Sequence, residues 1–376
     1  MAVVSRVLTI GGGFSGMAAA VQMRKAGIDV DLIEIDPHWR PEGAGITVSG
    51  ATLRALETIG VFGEFAKRGY TSDGLDLVTP TGHKIGEIPA AKVAGSDVPG
   101  TGGIMRPELG RILADATRAS GVNVRVGCSY DRIAQSDSHV DVTFTDGTTE
   151  RYDLVVAADG VHSKTRSLLC PEVKPPQYIG QGVWRAVLPR PSDIVRPRMW
   201  LGGPVKVGVN PVSTVLMYMF ITEARPDKLH IDPARWPGLV VDVLAPFGDP
   251  VLVGQRDNLQ APEAAIDYRP LTNLLVPAPW NRGRVIMIGD TVAATTPHLA
   301  SGAGIGIESG IVLADELARA TTLQQAFDRF HERRWSRCRM VIENSERLCR
   351  IEMENGDKAE HARIMRDSMM ELAQLI

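Results

Sequence analysis

The chain has 376 residues, of which 44% are hydrophobic, so it can bury a large core and should form more than one domain. Its net charge of −3, with lysine and arginine spread along the chain, argues against a nucleic-acid-binding protein. No apolar run approaches the roughly 20 residues of a membrane span, and the N-terminus lacks a targeting pattern, so a cytoplasmic protein without a membrane partner is expected.

The first element is a βαβ unit that can bind a dinucleotide. An apolar strand over residues 7–10 leads into Gly11, Gly13 and Gly16, which form G-x-G-x-x-G; a helix and a second apolar strand ending at Glu34 follow. The glycines permit a tight turn and a close approach of backbone to a pyrophosphate at the helix N-terminus, where free N–H groups favour anions. Glu34 is placed to accept hydrogen bonds from a ribose. The pattern leaves open which dinucleotide binds.

The rest of the chain alternates between two kinds of pattern. Strand and helix signals alternate to about residue 70 and again from about 100 to 170, as in a parallel sheet covered by helices. Residues 139–145 alternate, Asp146-Gly147 is a turn signal, and a second extended run leads to Asp159. Residues 180–275 read as a mostly antiparallel sheet. An apolar strand ending at Gly289-Asp290 and a glycine-rich helix start follow, and the chain is helical from Leu323.

These patterns predict an α/β fold with an inserted second domain. The dinucleotide-binding domain is discontinuous, over residues 1–70, 100–178 and 278–322, and a substrate domain comprises residues 71–99 and 179–277. Residues 323–376 form a C-terminal helical segment. Its apolar stripe, which includes Phe327, Phe330 and Cys338, fits helix packing or the subunit contact of a homodimer. The spacing of the four cysteines favours free thiols and no metal site.

Three separated segments each place a turn and an acid after a parallel strand. They are the βαβ unit, the run from Asp159-Gly160 to Arg166, and Gly289-Asp290. Ligands bind at this edge of an open α/β sheet, and one extended cofactor would explain all three segments. An Asp-Gly pair alone is more often an ordinary turn.

In these three ordered motifs the chain resembles the class A FAD-dependent aromatic hydroxylases of the p-hydroxybenzoate and salicylate hydroxylase type. The third motif continues through Thr296-Pro297-His298 and Gly302-Ala303-Gly304. The resemblance covers nearly the whole chain. It implies a Rossmann-like FAD-binding domain of the glutathione-reductase type, noncovalent FAD, and NADH or NADPH as a transient co-substrate, since no second G-x-G-x-x-G follows a strand.

The resemblance also implies a role for each cofactor-binding position. The first motif would hold the ADP half of FAD, Asp159 would lie near the pyrophosphate and the entry of the reductant, and Asp290 would bind the ribityl chain. Arg106 would lie near the pyrophosphate, where a guanidinium suits a phosphate better than a lysine does. The full set of expected cofactor-binding residues is Gly11, Gly13, Phe14, Ser15, Gly16, Glu34, Ile35, Gly45, Ile46, Arg106, Asp159, Gly160, Gly289, Asp290, Pro297, Gly302, Ala303 and Gly304.

The third motif departs from the family pattern. Ala293 replaces a usual histidine, and Ala300, Ser301 and Gly304 stand where glycine, glutamine and asparagine are common. FAD binding should survive these changes, because Asp290, Pro297 and Gly302 remain. The position of the flavin and the identity of the substrate are less defined.

The catalytic candidates are His298, Arg185 and Tyr218. His298 could assist deprotonation of a ring hydroxyl, or it could bond the backbone and shape its loop. Arg185 could anchor a carboxylate, or it could pair within the second domain. Trp184 and the neighbouring methionines are expected in the core rather than at the substrate.

The function that follows is an FAD-dependent monooxygenase. It would use NADH or NADPH with O2 to hydroxylate a small aromatic or N-heteroaromatic substrate through a flavin hydroperoxide. The alternatives are a flavin oxidase or reductase on the same scaffold, and a flavin-bearing binding or sensor protein without turnover. Substrate-stimulated nicotinamide oxidation with oxygen uptake separates these alternatives.

Overall fold

The computed structural model describes residues 2–40, 43–228 and 230–376. Its strands, numbered in chain order, are β1 (Arg6–Ile10), β2 (Asp29–Glu34), β3 (Gly45–Ser49), β4 (Tyr70–Ser72), β5 (Leu75–Val78), β6 (Lys84–Ile88), β7 (Thr101–Met105), β8 (Asn123–Val126), β9 (Tyr130–Gln135), β10 (Val140–Phe144), β11 (Thr149–Tyr152), β12 (Leu154–Ala157), β13 (Gln177–Pro189), β14 (Arg198–Trp200), β15 (Lys206–Pro211), β16 (Leu216–Ala224), β17 (Asp267–Leu275), β18 (Asn281–Arg282), β19 (Val285–Met287) and β20 (Ala293–Ala294).

The α-helices are α1 (Phe14–Lys25), α2 (Gly50–Thr58), α3 (Phe62–Arg68), α4 (Arg106–Ala119), α5 (Lys164–Leu169), α6 (Trp236–Leu244), α7 (Pro250–Gly254), α8 (Arg256–Gln260), α9 (Gly302–Arg319), α10 (Leu323–Met353) and α11 (Lys358–Ala373). Short 3-10 turns lie at Gly289–Thr291 and Pro297–Leu299.

The N-terminal strand is the centre of a six-stranded sheet with the order β18-β19-β12-β1-β2-β8. All neighbouring pairs in it are parallel except β18 with β19. Residues 7–10 are buried, as expected for a parallel strand that is covered on both faces. Helices α1 and α9 pack on each other beside this sheet. The α/β fold class is therefore confirmed.

An eight-stranded sheet forms the second layer, with the order β20-β17-β13-β16-β15-β14-β5-β6. Its long central strands are antiparallel, and only β14 pairs with β5 in parallel. Trp184, Met217 and Met219 are buried in the core between one face of this sheet and helices α6 to α8, so the expectation that they lie in the core agrees with the structure. The other face turns toward the dinucleotide-binding layer.

Two small sheets complete the molecule. The predicted hairpin turn at Asp146-Gly147 joins β10 to β11 in a three-stranded sheet, and β3, β7 and β4 form another. The boundaries between the domains stay a prediction. One strand pair crosses a predicted domain boundary: β20, in the segment assigned to the first domain, pairs with β17 of the second.

The C-terminal segment consists of α10 and α11. The stripe of Phe327, Phe330 and Cys338 is buried in the main core, so it packs within the chain. Each of the four cysteines is a free, buried thiol. In the described part of the chain, no helix is long and apolar enough to cross a membrane, and no group of side chains has the composition of a metal site.

Candidate functional site

The glycine-rich turn between β1 and α1 is built by close backbone contacts. Gly11 has φ +100°, and a Cβ there would lie 2.4 Å from the Ala158 carbonyl oxygen; a Cβ at Gly16 would lie 2.1 Å from the Gly11 oxygen. Gly13 caps α1, and a Cβ there would meet nothing within 4 Å. The turn is therefore closed on its sheet side and open above the N-terminus of α1, which leaves room for an anion.

Glu34 is fixed in place beside this turn. Its Oε2 accepts a hydrogen bond from the Gly12 N–H at 2.7 Å, and its Oε1 accepts one from the Asp36 N–H at 2.8 Å. Ile35, which follows, is 73% exposed. Both oxygens retain a further lone pair for a ribose hydroxyl.

Trp39 is a residue at this end of the site that the sequence did not reveal. Its Nε1 donates to the Gly12 carbonyl at 2.8 Å, and the Arg118 guanidinium lies over its ring at 4.6 Å from the centroid. Trp39 has an unusual φ of 46°, and no sequence pattern indicates its contact with Gly12.

Both carboxylate oxygens of Asp159 accept hydrogen bonds from other residues of the protein. Oδ1 accepts from the Ser163 hydroxyl at 2.6 Å and Oδ2 from the Thr165 N–H at 2.9 Å, so the residue fastens the turn into α5. The Gly160 N–H donates to the Thr291 hydroxyl at 3.1 Å. These contacts join the ends of β12 and β19, which the sequence had placed at one sheet edge.

The start of α1, the Gly289 turn and α9 meet at Ser15. A Cβ at Gly289, which has φ +63°, would lie 2.2 Å from the Ser15 hydroxyl oxygen, and a Cβ at Gly306 would lie 2.3 Å from it. Gly302 and Ala303 keep part of their surface exposed at the start of α9, whereas Gly304 is buried with its Cα facing Thr52.

Arg106 and Asp290 line an internal cleft. Both residues are exposed to solvent, and yet protein surrounds them closely enough to shift their ionisation. Burial lowers the pKa of Arg106, an effect that the charge of Asp290 opposes; burial raises the pKa of Asp290, which the Arg106 guanidinium partly offsets. Both residues thus lie in a recess that water reaches.

Two further contacts position Arg106 in this cleft. Its guanidinium lies 5.2 Å from the centroid of the Phe14 ring, and a Cβ at Gly43, where φ is +122°, would lie 3.0 Å from its Cδ. The first residues of α1, the loop before β3 and the first residue of α4 therefore converge on one guanidinium.

The eight-stranded sheet supplies the opposite wall. Tyr218 is buried, and its hydroxyl oxygen accepts a hydrogen bond from Arg185 Nε at 3.1 Å. Arg185 also lies 3.5 Å from an Asp267 oxygen, so pairing within the sheet, one of its two expected roles, is present. Burial raises the pKa of Tyr218, and its hydroxyl stays protonated at neutral pH.

Residues of β3 rest directly on this wall. Gly45 packs against Tyr218, and a Cβ at Gly45 would lie 2.3 Å from the Tyr218 Cβ. Ile46, the next residue, is partly exposed. Gly43 packs against Arg106 and Gly45 packs against Tyr218, so this short segment brings Arg106 close to the sheet wall.

His298 is not brought into the cleft. Its side chain is fully buried, with Nδ1 2.8 Å from the Thr296 hydroxyl oxygen, and Nε2 is 3.3 Å from Glu352 Oε2 without hydrogen-bond geometry. Burial lowers the pKa of His298, against the effect of Glu352. Of the two expected roles, this geometry favours shaping the loop. Pro297, its neighbour, is exposed.

Glu352, from the end of α10, holds the group around His298. Its Oε1 accepts from Lys206 Nζ at 2.8 Å and lies 3.0 Å from His361 Nε2. Although burial opposes it, the neighbouring Lys206, His298 and His361 hold the pKa of Glu352 far below its usual range. The sequence did not point to Glu352, because this glutamate belongs to an ordinary charged helix face.

The departures from the family pattern fall in ordered backbone. Ala293 is buried in β20, opposite Leu275. Ala300, where glycine is common in the family, has φ 47°, which lies in the left-handed region that favours glycine. Ala300 thus adopts the left-handed backbone conformation that a glycine would readily adopt at this position.

The cleft fits the two charged or polar parts of FAD that the sequence assigned to it. The open N-terminus of α1 and Arg106 suit a pyrophosphate. Among the described residues, none donates a side-chain hydrogen bond to the Asp290 carboxylate, which leaves it available for the hydroxyls of a ribityl chain.

Comparison with known proteins agrees with this fit. The profile of a family described as FAD binding domain matches residues 5–345. The chain is 31% identical to 2-heptyl-3-hydroxy-4(1H)-quinolone synthase of Pseudomonas aeruginosa over 82% of this chain and 79% of that protein. It is 29% identical to 3-amino-4-hydroxybenzoate 2-monooxygenase of Streptomyces cremeus over 91% of this chain and 86% of that protein.

Among solved structures, Klebsiella pneumoniae HpxO complexed with FAD and uric acid matches with a TM-score of 0.82 at 22% identity. The match covers 98% of this chain and 92% of that one. At this identity the match shows a shared fold.

Proposed function

The chain belongs to the FAD-dependent monooxygenases that resemble the class A aromatic hydroxylases, and from this premise we propose that it hydroxylates a small aromatic or N-heteroaromatic compound. FAD is its cofactor, and NADH or NADPH with O2 are the co-substrates typical of the family. The observation that carries the proposal is that Gly43 packs on Arg106 and Gly45 packs on Tyr218, which brings Arg106 of one layer close to Tyr218 and its partner Arg185 in the other.

The geometry of the described residues supports the following cofactor-binding roles. The open N-terminus of α1 and Arg106 hold the pyrophosphate, Glu34 accepts from the adenosine ribose, and Asp290 accepts from the ribityl hydroxyls. When bound, FAD supplies the redox chemistry between the nicotinamide, O2 and the substrate. The protein contributes binding, orientation and electrostatics.

The substrate-binding roles belong to the sheet wall. Because the Tyr218 oxygen accepts from Arg185, its own proton can point to a substrate oxygen and orient the ring. Asp267 holds Arg185 from the other side. Arg185 thereby keeps its charge and its position when the substrate enters.

His298 is assigned a positioning role in this proposal. Its buried imidazole fastens the Thr296–Leu299 loop to the end of α10 through Glu352, and no route from it to the cleft is needed. Asp159 likewise acts by holding the turn beside Gly160 rather than by touching the reductant.

The proposed reaction consumes NADH or NADPH, which are cytoplasmic metabolites, and this supports a cytoplasmic location. Assembly as a homodimer stays a prediction, and light scattering on purified protein tests it.

The deciding experiment is a substrate screen on FAD-loaded enzyme. Phenols, aromatic acids and hydroxypyridines are each tested for stimulated nicotinamide oxidation, oxygen uptake and a product heavier by one oxygen atom. Stimulation with a hydroxylated product supports the proposal. Oxygen uptake with only hydrogen peroxide formed for every compound would indicate an oxidase, and no nicotinamide oxidation with any compound would indicate a binding protein.

A further inference from the structure

A closed ring of four hydrogen bonds joins the turn after β2 to the glycine-rich turn after β1. Glu34 Oε1 accepts from the Asp36 N–H at 2.8 Å, and the Asp36 carbonyl accepts from the Trp39 N–H at 3.1 Å. The Trp39 indole Nε1 donates to the Gly12 carbonyl at 2.8 Å, and the Gly12 N–H donates to Glu34 Oε2 at 2.7 Å. Both oxygens of Glu34 are thus fixed by the protein itself.

The side chain of Asp36 shapes the turn that carries Trp39. Its Oδ2 accepts from the Arg40 N–H at 2.8 Å and its Oδ1 from the His38 N–H at 2.9 Å, and these bonds hold the pKa of Asp36 below its usual value. In this turn Trp39 has φ 46°, a conformation that bulky side chains rarely adopt. Such a conformation persists only where the surrounding contacts maintain it, and it points to a functional reason for the contact with Gly12.

The indole is enclosed on its other sides as well. Trp39 is only 8% exposed, and the Arg118 guanidinium of α4 lies 4.6 Å from the centroid of its ring. A Cβ at Gly12 would lie 2.3 Å from Trp39 Nε1 and 3.1 Å from Glu34 Oε2. Gly12 lies outside the left-handed region, so the space that the indole and the carboxylate need, and not the backbone conformation, requires glycine here.

We propose that Trp39 is a positioning residue of the ribose site. Its indole N–H holds Gly12, and the Gly12 N–H in turn holds Glu34 where the carboxylate accepts from the adenosine ribose of FAD. Trp39 acts through these two residues and needs no contact with the cofactor. The ribose role of Glu34 is part of the proposed function, and on that role this inference rests.

The first test removes only the indole donor. Trp39→Phe keeps an aromatic ring and should raise the FAD dissociation constant of the apoprotein about two- to tenfold, the range of one neutral hydrogen bond. The matched control is Trp236→Phe in α6 of the other layer, which also removes an indole hydrogen bond to a carbonyl, that of Ile231 at 3.1 Å. The control should bind FAD like the wild type, and thermal unfolding shows that both variants are folded.

The second test asks whether Trp39 acts through Glu34. Glu34→Ala should weaken FAD roughly ten- to a hundredfold, as for a lost hydrogen bond to a charged group. Without the carboxylate there is nothing left for Trp39 to position, so adding Trp39→Phe to Glu34→Ala should change the FAD dissociation constant much less than Trp39→Phe does alone. A purely structural role of Trp39 would give the same factor in both backgrounds.

The third test concerns the space at Gly12. Gly12→Ala should weaken FAD, because its methyl group displaces the indole. In a Trp39→Ala background the same substitution should cost less affinity, since the ring that it would meet is absent.

The proposal is overturned if Trp39→Phe binds FAD like the wild type, or if its effect is equal with and without the Glu34 carboxylate. It is also overturned if Gly12→Ala costs as much affinity without the indole as with it. All three tests measure FAD binding alone. A substrate screen in which no compound is hydroxylated would therefore count against the proposed function and not against the role of Trp39.

Discussion

Asp290 and Arg106 show how a binding site keeps residues that the apoprotein would be more stable without. Each charge is desolvated by the walls of the cleft, and the two only partly compensate each other. Desolvated charges of this kind are typical of ligand-binding and catalytic sites.

Replacing Asp290 by Ala should weaken FAD binding far more than replacing Asp159 by Ala. A lost hydrogen bond to a charged group is worth about 1.5 to 3 kcal/mol, or roughly ten- to a hundredfold in dissociation constant. Asp159 already bonds Ser163 and Thr165, so its loss should lower the melting temperature instead. FAD titrations and thermal unfolding of both variants measure this, and equal FAD dissociation constants for the two would refute the assignment.

Asp290→Asn should make the apoprotein more stable at neutral pH. The folded pKa of Asp290 is raised above the ordinary 3.8, so the unfolded chain ionises first as the pH rises, and the carboxylate costs stability at every pH above that value. The gain in melting temperature should therefore be present at pH 7 and shrink as the pH falls toward 4. Thermal unfolding without FAD at several pH values checks this, and a gain that is the same at pH 4 and 7 would contradict it.

At the scale of elements, α1 and α9 cross more closely than ordinary side chains allow. A Cβ at Gly310 of α9 would lie 2.6 Å from the Ala19 backbone nitrogen and 2.9 Å from the Ser15 carbonyl oxygen. Backbone atoms cannot move aside as a side chain can. Gly310 therefore allows α9 to lie this close to α1. The position of α9 in turn sets the position of the loop before α9, which borders the cleft.

Gly310→Ala should destabilise the protein by about 1 to 3 kcal/mol, the usual cost of overpacking. Gly63→Ala in α3 is the matched control, since a Cβ there meets nothing within 4 Å and alanine favours a helix. Chemical unfolding of both variants distinguishes the effects. A Gly310→Ala protein as stable as the control would show that the two helices can separate at little cost.

The end of α10 is joined to the loop before α9 and to β15 by the group around Glu352. Glu352→Gln should destabilise the protein by about 1.5 to 3 kcal/mol at neutral pH, because it leaves the partly buried Lys206 without its charged partner. Since the folded pKa of Glu352 lies below its ordinary 4.5, the stabilisation is present above that pH and is lost as the pH falls through the acid range. The variant and wild type should therefore converge in melting temperature at low pH.

Glu354→Gln, at an exposed position next to the end of the same helix, serves as the control and should unfold like the wild type at every pH. If Glu352→Gln and Glu354→Gln unfold alike at pH 7, the buried group contributes no net stability. FAD affinity should also fall in Glu352→Gln, because His298 and its loop lose their anchor on α10.

On the scale of the whole molecule, a buried ionic group ties the C-terminal helices to the core. Glu308 of α9 accepts hydrogen bonds from Arg334 at 3.0 Å and from Arg337 at 2.8 Å, and Arg337 continues to the Leu372 carbonyl oxygen at 2.6 Å. Arg54 of α2 donates to the Gln374 carbonyl oxygen at 2.8 Å. The C-terminal helices are thus part of the same structural unit as the cleft.

FAD should stabilise this unit against unfolding and leave it when the chain denatures. At a free concentration a hundredfold above the dissociation constant, a ligand that binds only the folded state adds about 2.7 kcal/mol. We expect a yellow protein whose melting temperature rises with added FAD and whose flavin is released by acid or heat. Flavin that remains on the denatured chain would contradict noncovalent binding.

The local motifs could be predicted from the sequence because each depends on the backbone conformation of residues that are close together along the chain. Gly11, Gly16 and Glu34 build one turn at the end of β1 and β2, and Asp290 follows a buried strand whose edge is a ligand edge in any open α/β sheet. The fold class, the family and FAD could therefore be stated before the structure was known. Trp184, which the sequence analysis expected in the core, lies there.

Only the tertiary structure decided the residues whose role depends on distant partners. Arg185 meets Tyr218 and Asp267 through the register of three strands, and His298 is buried because Glu352 arrives from the end of α10. Trp39 meets Gly12, 27 residues away along the chain, and the ring of Phe220 in β16 lies beside Gly208 of the neighbouring β15. Sequence determines which residues can form a turn or a strand face, whereas the pairing of faces and helix ends is decided by packing over the whole chain.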